Sequence, residues 1–222
     1  MKASCVIVAA GRGARLGSRI PKAFVRVNGL PLVEYSLRAF QRSPAVSEIV
    51  LVAPARHAAR NAPLFAKYPK LLAVVPGGAE RQDSVRNGLA ACDPGADVVL
   101  IHDAARPLLA LRDIAAVAAA ASRHGAAVLA APVTDTIKLA GAHAIVKTID
   151  RAHLWRAQTP QGFTPAVLLR SHAGRRGAPA TDDSQLAERA GVRVRIVPAS
   201  NENIKITTPH DLEVAAWLLK RR

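Results

Sequence analysis

The chain has 222 residues, half of them hydrophobic, with 31 Lys and Arg against 16 Asp and Glu and a formal charge of +15. This length and apolar content exclude a disordered chain and suit one domain, residues 1–222, with a two-sided core. No apolar run approaches the roughly 18 residues of a membrane span. The arginines form no continuous stripe with interleaved aromatics, so the charge is assigned to an anionic small ligand and to background composition rather than to nucleic acid.

Cys5-Val6-Ile7-Val8-Ala9 reads as a buried first strand. Met1-Lys2 and the apolar run behind it imitate a signal peptide. The run is short, however, and leads into a glycine-arginine loop instead of a cleavage site, so a cytoplasmic protein is expected. That loop is Ala9-Ala10-Gly11-Arg12-Gly13-Ala14-Arg15-Leu16-Gly17, followed by Pro21-Lys22. Its glycines let backbone N–H groups turn inward and a ligand approach closely. Arg12, Arg15, Arg19 and Lys22 put four cations on it, which makes a cradle for a polyphosphate. It is not a P-loop, because Ser18 follows Gly17 where G-K-[ST] is needed. Nor is it a dinucleotide fingerprint: the third glycine comes one place late, and the expected second strand, Glu48 to Ala53, ends in Pro54-Ala55 without a carboxylate for a ribose. The pattern G-x-G-x-R-L-G with Pro-Lys resembles the signature loop of the sugar nucleotidyltransferases.

Further strands are predicted at 48–53, 71–75, 97–101, 126–131 and 192–197, and helices from Pro31 to about Arg42 and over 55–66, 81–92 and 111–124. This alternation gives a mostly parallel sheet flanked by helices, whose ligands sit beyond the carboxyl ends of the strands. The loops 10–22, 76–84 and 102–107 all follow strands and should gather at one edge. In the second, Gly77-Gly78 permits close approach of a flat base and Ser84 offers a hydroxyl. In the third, Asp103 ends a buried strand three residues before Arg106, which suits a divalent metal or a ribose hydroxyl. Residues 133–151 are polar and alternate around Ile137, Leu139 and Ile149, with a turn at Gly141-Ala142-His143-Ala144. They read as a protruding hairpin arm with little core of its own, which needs a partner subunit. The stretch 171–182 reads as a surface loop, and Thr208-Pro209 with Asp211 as the start of a last helix. Cys5 and Cys92 have no metal-ligand spacing and read as free buried thiols.

Eight segments in order, AAGRGARLG with PKAF, PGGAERQDSVRNGL, HDAARP, APVTDTIK, TIDR, TPQGF, TDDSQLAE and NENIKIT, closely resemble the 2-C-methyl-D-erythritol 4-phosphate cytidylyltransferase family of the non-mevalonate isoprenoid pathway. The resemblance implies a Rossmann-like nucleotidyltransferase domain with a dimerising β-arm and a homodimer as the catalytic unit. It implies transfer of CMP from CTP to methylerythritol phosphate, with pyrophosphate released and Mg2+ required. By the same resemblance, Arg15 and Lys22 hold the triphosphate and Lys205 adds a cation near the reaction centre. Ala9, Ala10, Gly11, Gly13, Gly77, Gly78 and Ser84 line the nucleotide, and Asp103 and Arg106 lie near ribose and metal, most of the ion's ligands coming from CTP phosphates. Thr136, Arg151, Thr159 and Lys205 surround the second substrate, with Thr136 and Arg151 delivered to the neighbouring subunit's site. The chain ends soon after its last helix, so a fused cyclodiphosphate synthase domain, found in bifunctional relatives, is not expected.

Three alternatives stay open at this stage. A ribitol 5-phosphate cytidylyltransferase would share the nucleotide loops and differ in acceptor, although Thr148-Ile149-Asp150-Arg151 and Asn203-Ile204-Lys205 favour methylerythritol phosphate. A sugar-1-phosphate uridylyl- or thymidylyltransferase is more distant. A non-catalytic nucleotide- or nucleic-acid-binding module belongs to another class altogether.

Overall fold

The computed structural model describes every residue except 12, 19, 174–179 and 222. Arg12 and Arg19, two of the four loop cations, therefore lie outside the described residues. In chain order the elements are β1 (Ala3–Val8), β2 (Arg26–Val27), β3 (Leu30–Pro31), α1 (Leu32–Arg42), β4 (Val46–Ala53), α2 (Ala55–Arg60), α3 (Ala62–Phe65), β5 (Leu71–Pro76), α4 (Arg81–Leu89), β6 (Val98–Asp103), α5 (Leu111–His124), β7 (Ala126–Pro132), β8 (Ile137–Gly141), β9 (Ala144–Ile149), β10 (Trp155–Phe163), α6 (Pro165–Ala173), α7 (Asp183–Arg189), β11 (Arg195–Pro198) and α8 (Pro209–Lys220).

The sheet order is β11-β7-β10-β6-β1-β4-β5. β1 pairs in parallel with β4 and β6, β4 with β5, and β11 with β7. Because side chains alternate across a strand, a run such as Cys5-Val6-Ile7 feeds two cores at once. Cys5 and Ile7 join Ile49, Leu51, Leu100 and Leu129 on the face covered by α1, α3 and α5, with Phe40, Phe65, Ile114 and Val117 among the covering side chains. Val6 joins Val52, Val99, Ile101 and Phe163 on the face under α4, α6 and α7. A third cluster ties Leu16, Leu108 and Ile206 to Ala215 of α8, bracing the loops beyond the strand ends.

The mostly parallel sheet flanked by helices is the one the sequence predicts, with one strand unforeseen. β10 runs antiparallel between β6 and β7. Its sequence, WRAQTPQGF, carries a proline and two glutamines, which argue against a central strand. The ladder admits them because its register shifts between Ala157 and Gln161, leaving Thr159 and Pro160 outside regular pairing. The expected helix over 55–66 is broken at Asn61 (φ −107°) into α2 and α3. Pro31 caps α1 in extended conformation instead of opening it. The loop expected at 171–182 is shorter at both ends: residues 171–173 close α6, and Asp182 caps α7 by accepting the Gln185 N–H. Its middle, 174–179, lies outside the described residues. The arm is as read. β8 and β9 form their own antiparallel pair, turning on Ala142 and His143, both in left-handed conformation (φ 48° and 64°). α8 starts as predicted, on a reciprocal Thr208–Asp211 capping box with Pro209 in its first turn.

Candidate functional site

The three strand-following loops do meet. Val8, Ala9, Ala10 and Gly11 from the end of β1, Lys22, Gly78 to Arg81 and Ser84 from the β5–α4 junction, Asp103 to Ala105 from the end of β6, and Lys205 line one cavity of about 610 Å³. A second cavity of about 230 Å³ lies against it, lined by Arg106, Gln158, Thr159, Gln161, Thr181 and Asp182 and sharing Arg81, Asp103 and Lys205.

The glycines shape the larger cavity from behind as much as by lining it. A Cβ on Gly77 would stand 2.3 Å from the Ala10 Cβ, so the β5–α4 loop can press on the first loop only without a side chain there. Gly13 combines φ +67° with a notional Cβ 2.6 Å from that of Lys22, which lets the lysine stem cross the turn. Ser84, buried, accepts the Gly78 N–H at 3.0 Å and donates to the Glu80 carbonyl at 3.2 Å, so its hydroxyl fastens the loop. Glu80 and Asp83 form a capping box that starts α4.

The charged floor is a chain of alternating sign. The Asp103 carboxylate takes Lys205 Nζ at 2.6 Å on one oxygen and Arg81 Nε at 3.1 Å on the other. Arg81 Nη1 reaches Asp183 at 2.6 Å, and Asp183 also meets His172 Nε2 at 3.0 Å. Burial pushes the Asp103 pKa upward, but Arg81 and then Lys205 more than reverse this, so it is held well below the usual carboxylate range. For Arg81, burial favours loss of charge, and Asp103 and Asp183 outweigh it, lifting its pKa further above the ordinary value. Lys22 donates to the Ile206 carbonyl at 2.8 Å. Burial, then repulsion from Lys205, pulls its pKa down to about 8, with Asp103 opposing and Arg15 adding to the repulsion.

Of the residues singled out from the sequence, Ala9, Ala10, Gly11, Lys22, Gly78, Ser84, Asp103 and Lys205 line the larger cavity. Gly77 and Gly13 support it. Arg15 is exposed on a single 3-10 turn within the glycine-arginine loop. Arg106, three residues from Asp103, donates its backbone N–H to the Asp103 carbonyl at 3.0 Å, but its side chain turns elsewhere. Its guanidinium donates to the Asn203 and Ala157 carbonyls, pinning the loop that carries Lys205 to β10. Thr159 lines the smaller cavity but is buried; its hydroxyl accepts the Asp103 N–H at 3.1 Å and meets His102 Nδ1 at 3.0 Å. Thr136 is exposed and Arg151 donates to the Thr134 carbonyl at the base of the arm, both outside the two linings. Sequence reasoning does not single out Arg81 and Asp183. Both stand inside the segments PGGAERQ and TDDSQLAE, but nothing in sequence spacing joins α4 to α7.

Among the described residues, no group of three or more His, Cys, Asp or Glu is arranged to hold a metal ion. Asp103 has cations on both oxygens, and the other carboxylates in the two linings, Glu80 and Asp182, cap α4 and α7. That fits an ion taking most of its ligands from a bound triphosphate and poorly fits a protein-built cage.

A cavity of this make-up, beyond the carboxyl ends of a Rossmann-like sheet, has room for a base against small residues and cations for an oligophosphate. This is the architecture of a nucleotidyltransferase. The IspD family model, 2-C-methyl-D-erythritol 4-phosphate cytidylyltransferase, matches residues 3–221. A relative of that name from Pelotomaculum thermopropionicum is 46% identical over 227 aligned positions, covering 100% of this chain and 95% of that protein. The crystal structure of 2-C-methyl-D-erythritol 4-phosphate cytidylyltransferase from Thermus thermophilus superposes with a TM-score of 0.80 at 38% identity, covering 100% of both chains. That of 4-diphosphocytidyl-2C-methyl-D-erythritol synthase from Anaerococcus prevotii gives a TM-score of 0.85 at 29% identity, covering 99% of this chain and 98% of that one. The chain belongs to the 2-C-methyl-D-erythritol 4-phosphate cytidylyltransferase family.

Proposed function

We propose that the protein transfers CMP from CTP to 2-C-methyl-D-erythritol 4-phosphate, giving 4-diphosphocytidyl-2-C-methyl-D-erythritol and pyrophosphate. The observation that carries the reading is the cavity walled by Ala9 to Gly11 and Gly78 and bordered by Lys22 and Lys205, in a chain that the family matches from end to end. The attacking group is an acceptor phosphate oxygen, already ionised at neutral pH, so no general base is required. It forms a bond to the α-phosphorus while the bond to the pyrophosphate oxygen breaks. The barrier is the approach of one anion to another, and catalysis consists of positioning and cancelling negative charge.

Lys22 is suited to the triphosphate because burial and Lys205 disfavour its charge until an anion arrives. Arg15 lies within its field and adds a second cation. Lys205, in the wall common to both cavities, serves the junction between donor and acceptor. The small residues at 9–11 and 77–78 offer short backbone donors and acceptors to a pyrimidine edge. Mg2+ belongs to this reading, with Asp103 as the protein's contribution; it supplies charge neutralisation on the phosphates.

A homodimer is also part of the reading. It is supported by the arm, in which no described residue of β8 or β9 is buried and Leu139, Ile145 and Val146 are 48%, 66% and 65% exposed. Thr136 and Arg151 would then serve the partner subunit's acceptor site, Arg151 as a fork for phosphate. Two unpaired cysteines agree with a cytoplasmic location, and no helix among the described residues is long and apolar enough to cross a membrane.

The test is pyrophosphate release with Mg2+ and CTP, UTP, ATP or GTP, each offered with methylerythritol 4-phosphate and with ribitol 5-phosphate. Release confined to CTP with methylerythritol 4-phosphate is expected. Release with ribitol 5-phosphate instead would overturn the acceptor assignment while keeping the nucleotide site.

A further inference from the structure

Lys205 sits at the end of a long, flexible stem and is 41% exposed at its side chain, yet its ammonium is held at 2.6 Å from Asp103. A lysine of that kind has much rotamer freedom to lose, so something must make its partner a fixed point. Asp103 cannot do this alone, because a carboxylate at a strand end can turn about its own side-chain torsions. Its second oxygen is bonded to Arg81, and Arg81 is itself fastened at the other tine of its fork to Asp183. Asp183 is completely buried. One oxygen meets His172 of α6, and its backbone N–H donates to the Gln161 side chain of β10. The line Lys205–Asp103–Arg81–Asp183–His172 thus runs from the cavity wall into the packed interior between α6, α7 and β10. Arg81, Asp103 and Lys205 are also the three residues common to both cavities, so this line forms the partition between them.

We propose that Arg81 is a positioning residue: it fixes the Asp103 carboxylate, and through it the Lys205 ammonium, at the partition where donor and acceptor meet. It acts through Lys205 and not by contact with the reacting atoms. A guanidinium suits the position because its planar fork spans two carboxylates at set angles, which an ammonium cannot do. The other charged groups around Asp103 do not duplicate this role. Arg106 is engaged by the Asn203 and Ala157 carbonyls, and Lys22 by that of Ile206.

This inference rests on the cytidylyl-transfer reading, and the experiment separates the two. Wild type, Arg81→Met, Lys205→Met and the double variant are compared in the pyrophosphate-release assay, with thermal unfolding as a check on folding. A silent wild type would remove the functional reading itself. With an active wild type, Arg81→Met should lower kcat about tenfold or more while KM for CTP changes less than threefold. In the Lys205→Met background the same change should cost less than twofold, because its target is already gone. Multiplicative losses in the double variant, or wild-type kcat in Arg81→Met, would overturn the proposal. Should Arg81→Met fail to fold, Arg81→Lys takes its place. It keeps a cation between the two carboxylates but cannot span both, so a fall in kcat that vanishes in the Lys205→Met background is expected. Wild-type kcat in Arg81→Lys, or a loss undiminished without Lys205, refutes it.

Discussion

Beneath the nucleotide cavity, Asp103 and Asp183 are buried and each is answered by a cation, while Gly13, Gly77 and Gly78 leave no room for a methyl group. Along the arm the order is reversed. Apolar side chains stand in water, and β8 and β9 bond only to each other. An isolated two-stranded hairpin is marginal at best, so the arm's shape is not accounted for inside one chain, whereas the cavity's is. Preorganised charge therefore belongs to the monomer, while the arm's exposed hydrophobic surface is what the proposed second copy would cover. Changes in the first region should remove turnover and leave assembly alone; changes in the second should do the opposite first and reduce turnover only as a consequence.

The largest effect on turnover is expected at Lys22. Lys22→Met should lower turnover by roughly 10²–10³-fold, the scale for losing one preorganised electrostatic partner. The fold should survive, because the wild-type ammonium is itself held against burial. The sign with pH follows from the same burial. The free enzyme's Lys22 loses its proton as pH rises through about 8, so kcat/KM for CTP should fall above that pH. With the triphosphate bound the charge is stabilised, and kcat should hold to a higher pH. Steady-state rates across pH 6.5–9.5 check both, and a kcat/KM profile that stays flat to pH 9.5 would take Lys22 out of the phosphate site.

The next effect concerns assembly. Replacing Ile145 and Val146 by Asp puts charge on a surface that the monomer already exposes, so monomer stability should change by less than about 0.5 kcal/mol per site. Each apolar side chain contributes about 1.5–3 kcal/mol when fully buried, and each substitution enters a twofold interface from both sides. Dimerisation should weaken by about 10⁴-fold or more, read by sedimentation across a concentration series. If Arg151 and Thr136 serve the partner's site, KM for the acceptor should rise about tenfold at concentrations where the variant is monomeric and recover where it is not. A monomeric wild type with full activity would break the comparison, because one chain would then suffice for both regions.

Much of this was legible in the sequence, unevenly so. Strand-following loops are local features, and Gly11, Gly13, Lys22, Gly77, Gly78 and Asp103 each announce themselves by neighbours a few residues away. The arm was readable for the same reason, as an alternation broken by a turn. What escaped was non-local. β10 carries a proline and glutamines that no strand pattern contains, and they are admitted only by a register shift against β7. The Asp103 carboxylate pairs with Arg81, 22 positions away, and Lys205, 102 positions away, and not with the guanidinium of Arg106 three places on. Such pairings are decided by which helices flank which strands, and that is settled only when the sheet has formed.

The smallest effect probes the floor beneath the cavity. His102 is fully buried on β6, edge-on to Phe40 at 5.1 Å and in contact with the Thr159 hydroxyl. Burial pulls its pKa down to about 3 from an ordinary 6.5, with Asp103 opposing and Arg106 adding to the fall. The unfolded chain therefore takes up a proton near pH 6.5 and the folded chain does not until about pH 3, so acid favours unfolding. Stability should decline as pH drops below 6.5, by at most about 1.4 kcal/mol per unit from this group. Asp103 and Asp183 are held below the ordinary 3.8 and add their own loss only as pH approaches that value, so the window from pH 6.5 to 4.5 isolates the histidine. Urea midpoints for wild type and His102→Asn across that window should diverge in slope, the variant being the flatter. Equal slopes in the two proteins would mean that the acid sensitivity arises elsewhere and that the cavity floor tolerates a charge it is built to exclude.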